Sequence, residues 1–179
     1  MRYFKGFICL VSVLMLSACT QSQFMDLSGF IYNYNKVNDE KIDFTDFYID
    51  EERGSTYTFF GDGIILTLEA ADGRITECRL SLPKLDIKGN KSETYGKDIG
   101  LFRQVLTGTL RAYCHYDRYS AEEVLGLLSL SDDASFYKQG ELTLKRGNFY
   151  FICYSDDITF QFRILNLYLT EVEPTKKPR

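Results

Sequence analysis

The sequence predicts an α+β fold, in which a mostly antiparallel sheet has two helices inserted between N-terminal and C-terminal strand groups. Three observations support this fold class. Short runs with strand-like alternation, separated by turn residues, occupy both parts of the chain, and a segment between them has helical periodicity. In addition, 15% of the residues are aromatic, with 13 Tyr and 14 Phe, and such residues suit pleated strands. This order of elements favours a sheet with helices on one face.

The N-terminal strand group is predicted from runs rich in aromatic and β-branched residues. Asp-Gly pairs at 62–63 and 72–73 separate three of these runs, and Asp-Gly favours the type I′ turn of a hairpin because both central positions need positive φ. The charged run at 50–54 predicts another turn. The predicted strands are residues 29–37, 44–49, 56–60, 64–68 and 74–82, followed by an irregular connection at 83–96.

Two helices are predicted next. Residues 99–114 carry apolar side chains at steps of three and four, with polar side chains opposite, which indicates an amphipathic helix. Gly100 and Gly108 weaken it by roughly 1 kcal/mol each relative to alanine, so packing must hold it. Ser120, followed three residues later by Glu123, predicts a capping box that opens a second helix reaching about residue 130.

The C-terminal group is predicted to contain three antiparallel strands, at 141–145, 149–154 and 158–169. Turn residues at 147–148 and 155–157 separate them. Residues 171–179 contain two prolines and three basic residues and are predicted to be a flexible tail. Residues 27–170 are therefore expected to form a single α+β domain.

The first twenty residues have the features of a targeting signal. Arg2 and Lys5 precede an apolar run at 7–16, which is too short for a permanent membrane span. The run ends in Leu16-Ser17-Ala18-Cys19, which closely resembles the lipobox of bacterial lipoproteins. The resemblance implies that residues 1–18 are a cleaved signal peptide, that Cys19 is acylated on its thiol and amino group, and that residues 19–26 are a lipid-anchored tether. The alternative is an ordinary secretory signal followed by an unrelated cysteine.

Such an anchor has consequences for location. Three acyl chains give effectively permanent membrane attachment, whereas one chain binds reversibly. Thr20 follows the cysteine, and by resemblance to Gram-negative lipoproteins a residue other than aspartate there implies the outer membrane. The expected location is the cell envelope, lipid-anchored and facing the periplasm.

The charge of the mature chain argues against nucleic acid as a partner. Loss of residues 1–18 removes two basic residues and no acid, which leaves 19 basic and 25 acidic side chains and a net charge of −6. A mildly acidic domain repels phosphate backbones and anionic headgroups.

Three cysteines remain once Cys9 leaves with the signal and Cys19 carries lipid. Cys78, Cys114 and Cys153 each lie on an apolar face and are expected to point into the core. In an oxidising compartment three thiols suggest one disulfide and one spare. The predicted pair is Cys78 with Cys114, and the alternative is three reduced core cysteines.

The sequence shows little sign of catalysis. It lacks a Gly-x-Ser-x-Gly elbow, a Cys-x-x-Cys pair and paired histidines at metal-ligand spacing. His115 lies beside Cys114, but that cysteine is on the apolar stripe and a catalytic thiolate must be exposed. The prediction is a protein that is not an enzyme and needs no cofactor or metal, with His115 at a helix end.

Tyrosines give the predicted binding patch. Tyr113, Tyr116 and Tyr119, flanked by Arg111 and Arg118, are the densest cluster, and tyrosine is enriched at protein interfaces. The order of the C-terminal elements also resembles the layout of small inhibitor domains and of small outer-membrane assembly lipoproteins. The first hypothesis is a protein-binding module of the inhibitor or immunity type. The second is a structural or assembly lipoprotein of an outer-membrane complex, and a small apolar ligand stays open as a third.

Overall fold

The computed structural model describes residues 25–85 and 95–169. In this part of the chain, seven strands form one antiparallel sheet and three helices pack against it, which confirms the predicted α+β class. No helix in these two ranges is both long and apolar enough for a membrane crossing. The helices are α1 (Leu27–Val37), α2 (Tyr95–Tyr113) and α3 (Arg118–Leu127), with 3₁₀ turns at Phe44–Asp46 and Asp133–Tyr137.

The strand order across the sheet is β1-β2-β3-β4-β7-β6-β5, and every neighbouring pair is antiparallel. Strands β1 to β4 form one meander and β5 to β7 form a second. The two meanders meet where β4 pairs with β7. The strands are β1 (Tyr48–Asp50), β2 (Ser55–Phe60), β3 (Ile64–Ala71), β4 (Arg74–Pro83), β5 (Gly140–Arg146), β6 (Phe149–Ser155) and β7 (Thr159–Asn166).

The turn between β3 and β4 has the predicted geometry. Asp72 and Gly73 both have positive φ, at 51° and 73°, as a type I′ hairpin requires. Gly147 in the β5–β6 turn also has a positive φ, of 58°. At the other Asp-Gly pair the predicted type I′ geometry was wrong, because neither Asp62 nor Gly63 has positive φ and Gly61 takes it instead, at 56°. Both pairs lie between strands as predicted, so they located the strand ends but only one gave the turn type.

Residues 29–37 are helical, so the strand predicted there was wrong. The Asp26 carboxylate caps α1 by accepting a hydrogen bond of 2.7 Å from the amide of Gly29. Phe30, Ile31 and Tyr34 are buried, and their spacing places them on one helical face. The aromatic content of this segment suggested a strand, but its period is that of a helix.

Helix α3, which is the second of the two predicted helices, begins earlier than predicted. Asp117 is its N-cap, and the carboxylate accepts a hydrogen bond of 2.7 Å from the amide of Ser120. Ser120 is thus inside the helix, and the expected capping box with Glu123 is not its start. Aspartate caps as well as serine does, and it already holds an extended backbone here, with ψ at 173°.

The core lies between the helices and one face of the sheet. Phe102 of α2 is fully buried and makes edge contacts with Phe136 and with Phe160 of β7, at ring-centroid distances of 5.8 and 5.4 Å. Gly108 lets the end of α1 approach α2, because a Cβ there would lie 2.3 Å from the Asn38 side chain. Close helix packing therefore compensates for the helix-weakening glycine.

The first described residue is part of the folded domain. Met25 is buried, and its carbonyl oxygen accepts a hydrogen bond of 2.7 Å from the amide of Ile75 in β4. Residues 25 and 26, the last two of the expected tether at 19–26, contact the domain, since Asp26 also caps α1. The signal peptide, Cys19 and the tail at 171–179 lie outside the described residues, as does most of the connection predicted at 83–96.

Candidate binding surface

Tyr113, predicted as part of a surface patch, is a core residue. Its side chain is buried, and its hydroxyl donates a hydrogen bond of 2.8 Å to the carbonyl oxygen of Ile75. Burial raises the pKa of this hydroxyl well above its usual value, so it stays a neutral donor. The prediction was wrong because the last turn of α2 faces the sheet, and Tyr113 continues the apolar stripe of that helix.

Tyr116 is half-buried against the second meander. Its ring packs against Phe149 and Phe151 at centroid distances of 6.3 and 6.4 Å, and the Arg146 guanidinium lies 5.4 Å from the ring centroid. His115 follows α2 with a φ of 55° and turns the chain toward this position. Tyr116 therefore closes one end of the core and leaves little ring surface for a partner.

Of the remaining patch residues, Arg111 and Arg118 both line a hollow of about 380 Å³, whereas Tyr119 is not among its lining residues. Arg111 donates a hydrogen bond of 2.8 Å to the carbonyl oxygen of Val37, which ties α2 to the end of α1. Arg118 forms an ion pair of 2.8 Å with Glu122, one turn further along α3. Tyr119 is 76% exposed. The structure thus leaves Tyr119 and Arg118 on the surface and uses the other three patch residues for packing and helix contacts.

A different surface collects the accessible aromatic and charged side chains. Alternate residues of every strand point away from the helices, and we call this side of the sheet the open face. Ring contacts between helix and strand residues in the described chain all reach the opposite, inner face. The middle row of the open face, read from β1 to β5, is Tyr48, Tyr57, Thr67, Arg79, Arg163, Ile152 and Thr143.

Two carboxylates and two arginines stand at the centre of the open face. Glu77 of β4 accepts hydrogen bonds of 2.7 Å on each oxygen from Nε and Nη2 of Arg163, so the pair is bidentate. Arg79 also reaches Glu77, at 3.1 Å, and makes a further ion pair with Glu69 of β3. We call these four residues the charge quartet. It joins three neighbouring strands, β3, β4 and β7.

The charges of the quartet compensate one another. The Glu77 side chain is only 6% exposed, whereas those of Arg79 and Arg163 are 30% and 34% exposed. Burial by itself would raise the pKa of Glu77, but hydrogen bonds and positive charge from Arg163, and then from Arg79, outweigh it and hold the pKa below its usual value. The centre of the open face is therefore polar yet balanced, at two negative and two positive charges.

Three aromatic side chains form a cluster on the β1–β2 flank of the open face. Tyr48 stacks on Tyr57 with ring centroids 5.5 Å apart, and Phe59 meets both rings edge-on at 5.9 and 5.7 Å. Tyr48 is 56% exposed and Phe59 is 51% exposed. We call this the ring cluster. Offset and edge-to-face geometries stabilise such rings in fixed positions while much of their surface stays accessible.

The opposite flank of the open face is less apolar. Tyr150, Ile152 and Tyr154 of β6 point to this side, and Tyr154 is the most accessible of them. The Tyr154 hydroxyl donates a hydrogen bond of 3.0 Å to the Asp156 carboxylate, which raises the pKa of the tyrosine. This flank supplies hydrogen-bonding groups where the ring cluster supplies apolar area.

Sequence reasoning missed the open face, although part of its signal was present. Tyr57 and Phe59 occupy alternate positions of a correctly predicted strand, so they had to share a face. Glu77 and Arg79 do the same in β4. Their partner Arg163 is 86 residues away from Glu77, and no local pattern indicates that β4 and β7 are neighbours.

All three cysteines in the described residues are buried, as expected, and all are free thiols. The structure therefore lacks the predicted bond between Cys78 and Cys114 and agrees with the alternative of reduced core cysteines. Burial raises the pKa of Cys78 and Cys114 well above the usual range, and that of Cys153 to about 12. Each thiol is thereby held in its neutral form, because the apolar surroundings disfavour a thiolate.

A hollow of about 380 Å³ adjoins the ring cluster. Its walls include Tyr48 and Phe59, but also the charged side chains of Glu40, Lys41 and Asp46. An apolar ligand seated here would have to desolvate those charges, so the hollow favours polar contacts at the rim of an interface.

Within the described residues, three or more histidine, cysteine or acidic side chains do not come together in an arrangement that could hold a metal ion. The expected lipidation site, Cys19, lies outside these residues. The chain matches no protein-family model, no curated protein and no solved structure.

Proposed function

We propose that this protein is a lipid-anchored protein-binding module of the cell envelope, attached at Cys19 and facing the periplasm, which contacts its partner through the open face. The role is that of an inhibitor or immunity-type lipoprotein. The lipobox-like residues at 16–19 support the anchor, and the open face supports the contact.

The ring cluster is the observation that carries the proposal. Tyrosine and phenylalanine side chains that are about half exposed offer large contact area with few rotatable bonds, so docking costs little conformational entropy. Tyr48, Tyr57 and Phe59 are held in mutual contact before any partner arrives. Clustered aromatic residues of this kind dominate the binding energy of many interfaces.

The charge quartet supports the same surface in a different way. An interface that covers an unpaired charge loses binding energy to desolvation. Glu77 and Glu69 already pair with Arg79 and Arg163, so a partner can cover the centre of the open face without leaving a lone charge. The quartet also joins three strands, which makes the surface stiff.

The position of the anchor fits a membrane-proximal role. Five residues, 20–24, lie between Cys19 and Met25, which is bonded to β4. At no more than about 3.6 Å per residue, this segment reaches roughly 20 Å. The partner would therefore be met close to the membrane surface.

Metabolic labelling tests the anchor. Cells grown with an alkyne analogue of palmitate should label the full chain and the Cys9→Ser variant, because Cys9 is removed with the signal. The Cys19→Ser variant should carry no label. Labelling of Cys19→Ser equal to that of the unaltered chain would contradict the anchor, whatever the open face binds.

Photocrosslinking in living cells tests the surface. A photoreactive phenylalanine analogue at position 59 should crosslink to one protein, whereas the same analogue at position 32 should not. Tyr32 is a matched control because it is 68% exposed and lies on α1, away from the open face. Position 119 tests the originally predicted patch in the same way, since Tyr119 is also exposed.

The identity of the crosslinked protein separates the two roles. A soluble toxin-like or hydrolytic partner that also binds the chain without its lipid supports the inhibitor role. Subunits of an outer-membrane machine, lost on removal of the lipid, support the assembly role. Absence of any crosslink at position 59, or an equal yield at position 32, would show that the open face is not the binding surface.

A further inference from the structure

The two edge strands of the sheet differ in length. Edge strand β1 has three residues, whereas edge strand β5 has seven. Strand β5 pairs with β6 on one side, and no other strand in the described chain pairs with its outer side. Five of its seven residues are exposed and two are half-buried. A long exposed edge is a template for pairing with another strand, and proteins usually protect such edges.

The sequence of β5 is complementary to itself in antiparallel register. When two copies are aligned about Thr143, Glu141 of one lies opposite Lys145 of the other, and the reverse pair follows by symmetry. Leu142 likewise lies opposite the partner's Leu144. Opposite charges and apolar residues at directly facing positions are the pairs that stabilise antiparallel strands.

The complementarity depends on this one register. Alignment about Leu142 places Glu141 opposite the partner's Thr143, and alignment about Leu144 places it opposite the partner's Gly147. Both alternatives lose the two charge pairs. These neighbouring registers differ from the first by two residues. A shift of one residue is not available, because it would place open-face side chains of one copy opposite inner-face side chains of the other.

The exposed apolar side chains of β5 give a second reason for pairing. Leu142 points to the inner side of the sheet and is 50% exposed at its edge. A hollow of about 180 Å³ beneath it is lined by Leu128, Leu130, Cys153 and Phe160, among others. A second strand paired with β5 would place the partner's Leu144 beside Leu142 and remove apolar surface of both leucines from water.

We propose that β5 pairs with β5 of a second copy of this chain, around a twofold axis through Thr143. The charge pairs between Glu141 and the partner's Lys145 lie on the open side, and the leucine pairs lie on the helix side. Because this axis is perpendicular to the sheet, both open faces point the same way and form one continuous surface. The assembly does not depend on the proposed function, since it uses the edge of the sheet and not the ring cluster.

Disulfide trapping of the full chain in intact cells tests the register. In the Thr143→Cys variant the two new cysteines face each other at a Cα separation of about 4.5 to 5.5 Å, within reach of a disulfide. Mild oxidation should convert most of this variant to a covalent dimer. The Thr67→Cys variant is the matched control, because Thr67 is on the open face of β3 in the interior of the sheet and should stay monomeric. Equal dimer yields from both variants would overturn the proposal.

Charge reversal tests the pairing itself. In the Thr143→Cys background, Glu141→Lys should lower the dimer yield by about tenfold, because each new lysine then faces a lysine. Lys145→Glu should have the same effect. The double change restores opposite charges and should restore the dimer. These residues are exposed, so folding should be unaffected. Failure of the double variant to recover would overturn the proposed pairing, and a disulfide from residue 143 to a different protein would show that another partner occupies this edge.

Discussion

The two faces of the sheet are built from the same strands by opposite rules. The inner face carries rings such as Phe60, Phe151 and Phe160, which are buried beneath the helices. The open face carries the charge quartet, in which only Glu77 is nearly buried, and the ring cluster, in which Tyr48 and Phe59 are about half exposed. Alternation along each strand keeps the two sets apart, because neighbouring residues point in opposite directions. The comparison teaches that the same residue type serves the core or the surface according to which of the two alternating sets of strand positions it occupies.

Two phenylalanines, one in the core and one on the open face, give the largest expected difference in the free energy of unfolding. Phe102→Ala should destabilise the protein by about 3 to 5 kcal/mol, because it leaves a cavity among fully buried rings. Phe59→Ala, on the open face, should cost about 1 kcal/mol or less, since half of that ring is already exposed. Urea unfolding followed by circular dichroism measures both. Equal losses of stability would mean that the open face is itself part of the core.

Two glutamates give the next contrast, within the open face. Glu77→Gln should destabilise by about 2 to 3 kcal/mol, because two arginines lose a nearly buried carboxylate. Glu69→Gln is the control and should cost about 1 kcal/mol or less, since that side chain is 39% exposed and its ion pair with Arg79 is near the surface. If the two substitutions cost the same, burial of Glu77 does not determine the strength of the quartet.

The smallest effect is the pH dependence of the same group. The pKa of Glu77 is lower in the folded chain than when unfolded, so its contribution to stability is complete above the unfolded value of about 4.3 and falls as pH drops through the folded one. The difference in unfolding free energy between the unaltered chain and Glu77→Gln should therefore shrink as pH is lowered from 6 toward about 3. A difference that stays constant over this range would contradict the depressed pKa.

Sequence reasoning recovered what local pattern determines. Six of the seven strands begin within one residue of their predicted starts, because turn residues such as Asp72 and Gly73 restrict the backbone directly. It missed α1, where aromatic composition outweighed the spacing of Phe30, Ile31 and Tyr34. The aromatic content of this segment indicates that it is buried, whereas the spacing of its apolar residues indicates which secondary structure it forms. Only the spacing distinguished a helix from a strand here.

The candidate site was harder to predict, for a different reason. The expected tyrosine patch treated Tyr113 as accessible, but accessibility depends on which way the last turn of α2 faces. The charge quartet depends on β4 and β7 being neighbours, which is a property of the whole topology. The predicted patch was chosen because its tyrosines are close in sequence. The open face consists of residues that are far apart in sequence and adjacent across the sheet.

The junction of β4 with β7 has a consequence for how the chain folds. Each meander can form from local hairpins, but the junction closes a much longer loop, as the 86-residue separation of Glu77 and Arg163 shows. Closure of long loops slows folding, so we expect the meeting of the two meanders to be the slow event. A slip of one residue at that moment would turn Glu77 toward the apolar core, where it would be unpaired. The bidentate pair of Glu77 with Arg163 therefore favours the native alignment of the two meanders over an alignment shifted by one residue.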